Sequence, residues 1–493
     1  MANSKEQGEK TGKLTLMGFF SMTASMVLAA YEFPTFATSG FSLVFFLIFA
    51  GILFFLPVAL CAAEMATTPG WEEGGVFTWS SRSLNSNKLG FAHVFYQWFA
   101  TSIGFSAMMY YVIGALAYLF GFPALSTNPL IKFVCMVVIF WIIVFSQFGG
   151  TKNTAIITKV GFIAGILIPA ICLILLGIWY VATGHPIHTT LSGAALIPDF
   201  SKFNTLVVFV TFVLSYIGVE ASATHVHEME NPNRDYPLSM FMLVVLAIVL
   251  NTLGGLTIAM VIPEAHINLS SGIIQTYSTV CALFSTSTWY IRILALLMAV
   301  GVCAELSAWV VGPSFGMLRC AQEGYLPKYL TKVNKNNVPV RLIVIHALIV
   351  SFWFALLTFG GGTGGGNMSF LTAMSLTTVT FLMGYIIFFC AYLKKVYKHT
   401  ELKSSYNIPG GKAGKTIVSV VGLIVTLMAL CISFVPPQGL TASQSKTYEI
   451  ILVISFIIIA CIPFVCYSWY SSYKKSHGIK TPAETVAETT KAN

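Results

Sequence analysis

Four glutamates, Glu32, Glu64, Glu220 and Glu305, lie inside long apolar stretches of the chain. A charge at bilayer depth costs on the order of 3 kcal/mol, so such acids usually pair, take up a proton or line a solute path. Glu220 sits in Tyr216-Ile-Gly-Val-Glu220-Ala-Ser. If a helix unwinds at Gly218, the amides at the new helix start can hold a carboxylate. Glu220 would then brace the break or exchange a proton. The plainer alternative is a buried carboxyl held by backbone donors alone. Glu305 and Trp309, in Gly301-Val-Cys-Ala-Glu305-Leu-Ser-Ala-Trp309, are four apart and share one helix face. An acid and an indole together suit a cationic amine; the competing reading is helix packing.

The remaining candidates are gating or pH-sensing groups. Glu64, in Ala62-Ala-Glu-Met65, reads as a gate or helix contact. Glu32 follows Tyr31 and precedes Phe33-Pro34. His225 and His227, beside Glu228 and Glu230, titrate in a range that senses pH, or else form a solvated helix end. Tyr31, Trp309 and Tyr385 are candidate aromatic walls, with core packing as the alternative.

These residues need helices to hold them. The chain of 493 residues is 56% hydrophobic and 9% charged, where a soluble domain carries about 25% charge. Twelve stretches approach the roughly 20 apolar residues of a bilayer span: 14–40, 43–66, 91–121, 130–148, 154–182, 204–229, 238–262, 288–320, 341–359, 368–394, 416–436 and 447–470. The expected fold is therefore an all-α polytopic membrane protein. With both termini cytoplasmic, every Lys and Arg except Lys132, Lys202, Arg292 and Lys446 falls on the inside, as orientation by basic loops requires. The net charge of +9 then reports topology and contact with anionic lipid, and nucleic acid is not an expected partner. Residues 1–13 read as a cytoplasmic leader without a cleavage site. Ten cysteines form no CxxC pair or zinc-spaced cluster, so no metal and no cofactor are expected. No nucleophile–base motif or nucleotide loop suggests an enzyme.

Two spans look interrupted at corresponding positions. The first contains Tyr31-Glu-Phe-Pro34 and Ser39-Gly40, and the sixth contains Ser215-Tyr-Ile-Gly218-Val-Glu220. Paired broken helices point to an inverted-repeat transporter with its site at mid-membrane. Pro34, lacking a backbone donor, should leave a carbonyl near Ala30 free. Residues 71–82 suggest an amphipathic segment lying on the inner face, and 272–285 a helix capping the outer vestibule. The run Gly360 to Gly366 lacks the Lys-Ser/Thr of a phosphate loop and reads as a turn.

Several runs resemble bacterial glutamate/γ-aminobutyrate antiporters of the amino acid–polyamine–organocation superfamily. They are Phe33-Pro-Thr-Phe-Ala-Thr-Ser-Gly-Phe-Ser42, Cys61-Ala-Ala-Glu-Met-Ala66, Gly70-Trp-Glu-Glu-Gly-Gly-Val-Phe77, Gln147-Phe-Gly-Gly-Thr-Lys152, Val219-Glu-Ala-Ser-Ala-Thr-His225 and Tyr406-Asn-Ile-Pro-Gly-Gly-Lys412. The resemblance covers about residues 14–471. It implies a five-plus-five inverted repeat (about 14–182 and 204–394), two extra helices (416–470) and a short cytoplasmic tail (472–493). It also implies exchange of external glutamate for internal γ-aminobutyrate across the plasma membrane, in support of acid resistance beside a cytoplasmic glutamate decarboxylase. Substrate contact is expected from the broken first and sixth helices with the eighth and tenth, nominating Tyr31, Glu220, Glu305, Trp309 and Tyr385. Phe381 stands where some relatives have Tyr. The tail has one histidine, His477, so the His- and Arg-rich plug of some relatives is not expected. The alternatives are a proton-coupled or broader-specificity amino acid permease, or a scaffold for another subunit.

Overall fold

The computed structural model describes residues 15–71, 75–200, 208–284, 288–360, 366–436 and 441–477, which are helical with turns and no strand among them. Among the described residues, eleven helices are long and apolar enough to cross a membrane. The expected sixth span is the exception: only Phe209–Ala223 forms a shorter apolar helix there. Residues 201–207 at its start lie outside the described residues, as do 361–365 of the glycine-rich run and 478–493 of the tail. The last span runs further than expected, as Ala442–Ser476.

Burial ranks the helices from centre to rim. In the most apolar window of Ser369–Lys398, 83% of residues are buried inside the protein, against 17% for Ala442–Ser476. The broken first helix and Asn87–Phe120 are also mostly buried, so the centre consists of the elements that carry the candidate residues. Lipid tails are as apolar as Leu, so helices here associate through close packing at small residues. Gly165, in Asn153–Ala182, faces Gly301 in Trp289–Gln322 so closely that a Cβ on Gly301 would lie 2.6 Å from the Gly165 carbonyl carbon. In Pro232–Val261, Gly254 accepts the Phe33 ring and Gly255 the Phe36 side chain, which seats the second half of the first helix.

Two peripheral expectations change or sharpen. The described part of the 71–82 segment, Trp71 and residues 75–82, is largely buried and does not lie on the surface. Helix Gly75–Leu84 is buried on nearly every side, with Ser80 Oγ 2.7 Å from His93 Nδ1 and Ser81 against Gly90. Its serines give it a second packing face, which an amphipathic surface helix lacks. Gly272–Cys281 forms as a helix, with Gly272 against Pro34 of the first helix. All ten cysteines are free, and Cys390, Cys431, Cys461 and Cys466 are exposed.

Candidate functional site

The first helix breaks just before Tyr31. Leu16–Val27 ends in extended backbone at Leu28 and Ala29, and the chain resumes as a short 3₁₀ turn, Ala30–Glu32, then Phe33–Ala37. Pro34 causes this locally. It cannot donate to the preceding turn, yet it fits the first turn of a new helix. The Ala30 carbonyl is not free, contrary to expectation, because the Phe33 amide donates to it. What the break leaves over are donors: the amides of Ala29, Ala30 and Tyr31 make no hydrogen bond among the described residues.

The sixth helix breaks where its glycine stands. Phe209–Leu214 stops, Gly218 adopts φ +103°, and Val219–Glu228 continues as a 3₁₀ helix. Only glycine takes that backbone conformation without cost. The break is braced from two other helices. The Tyr385 hydroxyl accepts from the Gly218 amide at 2.8 Å and donates to Glu220 Oε2 at 2.5 Å. Gln97 Nε2 donates to the other carboxylate oxygen at 3.0 Å. Trp309 ties the two breaks together. Its ring lies against Gly218, where a Cβ would come within 2.2 Å, and its indole N–H donates to the Met26 carbonyl at 2.9 Å.

Between the breaks is a cavity of about 60 Å³, room for a few waters. Its walls include Ala29, Tyr31 and Glu32 from the first break, Ser215 and Ile217 from the sixth, Glu305 and Trp309, Thr101, Thr377 and Phe381. Tyr31, Glu305 and Trp309 are thus brought together, and Tyr31 also packs at 6.1 Å against Tyr111. Glu220 and Tyr385 are outside the lining and face each other behind the break. Glu32, a gating or pH-sensing candidate, also joins the wall. Glu32 and Glu305 are each 2% exposed, and neither accepts a hydrogen bond among the described residues. No Lys, Arg or His among the described residues lines the cavity. The arrangement gathers the first break, two carboxyls, an indole and aromatic rings around one space.

Comparison with known proteins agrees with this architecture. The amino acid permease family matches residues 14–457. The chain belongs to that family. A glutamate/gamma-aminobutyrate antiporter of Lactococcus lactis is 51% identical over 94% of this permease and 92% of its own length. An uncharacterized transporter of Legionella pneumophila is 31% identical over 91% of this chain and 96% of its own. A probable agmatine/putrescine antiporter of Lactococcus lactis is 23% identical over 93% and 95%. The permease is therefore a multi-pass membrane transporter.

Away from the cavity, Glu64 is held on both oxygens. Oε1 accepts from Lys395 Nζ at 3.0 Å and Lys415 Nζ at 2.7 Å; Oε2 accepts from the Tyr392 hydroxyl at 2.9 Å and the Ile408 amide at 3.0 Å. Lys395 is 3% exposed and also donates to Ser404 Oγ at 2.9 Å. Burial, and then the Glu64 charge, raise the nearby Tyr406 phenol above its usual range. Glu64 therefore joins three helices and a loop. The side chains of His225 and His227 lie outside those described. Gln97, Thr101, Ser215 and Thr377 were not legible beforehand. Their residue types are common in any helix, and only tertiary placement distinguishes them.

Proposed function

We propose that this permease exchanges extracellular glutamate for intracellular γ-aminobutyrate. The observation that carries the reading is the cavity itself, lined by Ala29 and Tyr31 of the first break, whose amides have no partner among the described residues, and by Glu305 and Trp309. Both substrates have a carboxylate and an ammonium, and this is a receptor for that pair. The carboxylate docks on the amides near Ala29–Tyr31, which have no hydrogen-bond partner among the described residues. The ammonium meets Glu305 and the Trp309 face. Glu220 and Tyr385 hold the sixth break in shape behind the site. The 51% identity to a protein named for these two substrates supports the choice among amino acids. Alternating access rocks the broken helices and their partners against the rest, as in inverted-repeat carriers. The bias of basic residues toward alternate loops supports a plasma-membrane protein with both termini in the cytoplasm. Working beside a cytoplasmic glutamate decarboxylase, which consumes a proton per turnover, such exchange supports acid resistance.

Radiolabelled glutamate uptake into liposomes at about pH 5.5, empty or loaded with γ-aminobutyrate, tests the reading. Uptake confined to loaded vesicles is expected. Equal uptake into both would replace exchange with uniport or proton-coupled uptake. Glu305→Gln should lower exchange at least about a hundredfold, the cost of leaving a desolvated ammonium without its charged partner; near-normal rates would remove Glu305 from the site.

A further inference from the structure

The cavity holds one acid more than a single ammonium can satisfy. Glu32 and Glu305 both line it, both are nearly fully buried, and Oε2 of each has no hydrogen-bond partner among the described residues. The titratable groups facing Glu32 include no base. They are Tyr31 on its own segment, Glu305 on Trp289–Gln322 and Tyr216 beside the sixth break, with Tyr111 of Asn87–Phe120 behind Tyr31. Two carboxylates in one small buried cavity, with no cation among the described lining residues, disfavour each other's ionisation.

We propose that Glu32 and Glu305 form one two-carboxyl site that takes the substrate's ammonium on Glu305 and a proton on Glu32. This rests on the exchange reading and deepens it. The roles follow from position. Glu305 shares its helix face with Trp309, whose ring favours a cation. Glu32 belongs to the same short stretch of chain as the free amides of Ala29, Ala30 and Tyr31. A carboxylate docked there would repel an ionised Glu32, whereas the acid form donates a hydrogen bond to it. The proton comes from water on the side where substrate loads, sits on a Glu32 oxygen during the crossing, and returns to water when substrate leaves. No bond within the substrate is made or broken.

The substrate's own titration must be kept out of the test. γ-Aminobutyrate keeps one net charge from about pH 5.5 to 7.5, since its carboxyl titrates near 4 and its amine near 10. Homo-exchange of labelled γ-aminobutyrate is measured across that range in liposomes at equal pH inside and out. Wild type should slow by roughly tenfold or more as pH rises, and Glu32→Gln, which is neutral and keeps an N–H donor, should give a flat profile. The same wild-type slope in Glu32→Gln would overturn the assignment. A second measurement needs no variant: homo-exchange carries one proton with substrate in each direction, so in vesicles holding a pH-sensitive dye a pH gradient should outlast rapid homo-exchange. A gradient that collapses in step with exchange would also overturn it. Wild type that does not exchange γ-aminobutyrate at any pH would instead sink the exchange reading.

Discussion

Tyr385 does two jobs with one hydroxyl. It accepts from the Gly218 amide and donates to Glu220, so it satisfies a donor that the break exposes and orients the acid beside it. Its ring packs independently at 5.3 Å against Phe54. Tyr385→Phe keeps that packing and removes both hydrogen bonds. A hydrogen bond to a charged group is worth about 1.5–3 kcal/mol, and about 1.4 kcal/mol is tenfold. Exchange should therefore fall roughly ten- to a hundredfold in liposomes, while the purified protein elutes normally in detergent. Gln97→Ala should cost less, since Glu220 keeps its contact with Tyr385. Wild-type rates in Tyr385→Phe would mean that the break holds its shape without the hydroxyl.

At the scale of elements, the two breaks are the feature the sequence foretold best, because their causes are local. Gly218 and Pro34 are backbone instructions that neighbouring helices do not override. The Glu305–Trp309 face was equally legible, being a matter of four-residue spacing. The first break was still placed imperfectly. Pro34 was expected to free a carbonyl, whereas the 3₁₀ turn recruits Phe33 to it and exposes amides upstream. Glu32 illustrates the other limit: spacing shows that it lies beside the break, and only packing shows that it faces Glu305. The sixth break has a sharp test. Gly218→Ala demands a strained backbone and puts a methyl within 2.2 Å of the Trp309 ring. Exchange should be lost, and quenching of Trp309 fluorescence by γ-aminobutyrate should disappear in a variant where it is the sole tryptophan. Retained exchange would mean that Trp309 can retreat, and so does not bind both breaks together.

Across the whole molecule, the exchange proposed above requires helices to move relative to each other, and Glu64 ties together elements that such motion would involve. It ends the second span, Gly40–Ala66, and is gripped by Lys395 from Gly366–Lys398, by Lys415 from Gly411–Ser433 and by the Ile408 amide. Thr67 and Thr68 extend the junction, Thr67 by accepting from the amides of Ser405 and Tyr406, and Thr68 by its hydroxyl contact with Ser404. Glu64→Gln leaves the Lys395 ammonium buried without its charge partner, because Ser404 alone cannot neutralise it. Breaking one side of a buried pair costs about 3–5 kcal/mol, whereas replacing both partners with apolar groups of similar size is often nearly neutral. Glu64→Gln should thus lower the unfolding temperature in detergent markedly, and Glu64→Leu combined with Lys395→Met should recover much of the loss. Lys415, partly exposed, can turn to solvent in either case and should not mask the difference. The double variant also separates stability from motion. If the junction serves as a latch between moving parts, its exchange rate should stay altered even when its unfolding temperature is restored. A double variant with normal rates would make Glu64 a purely structural tie.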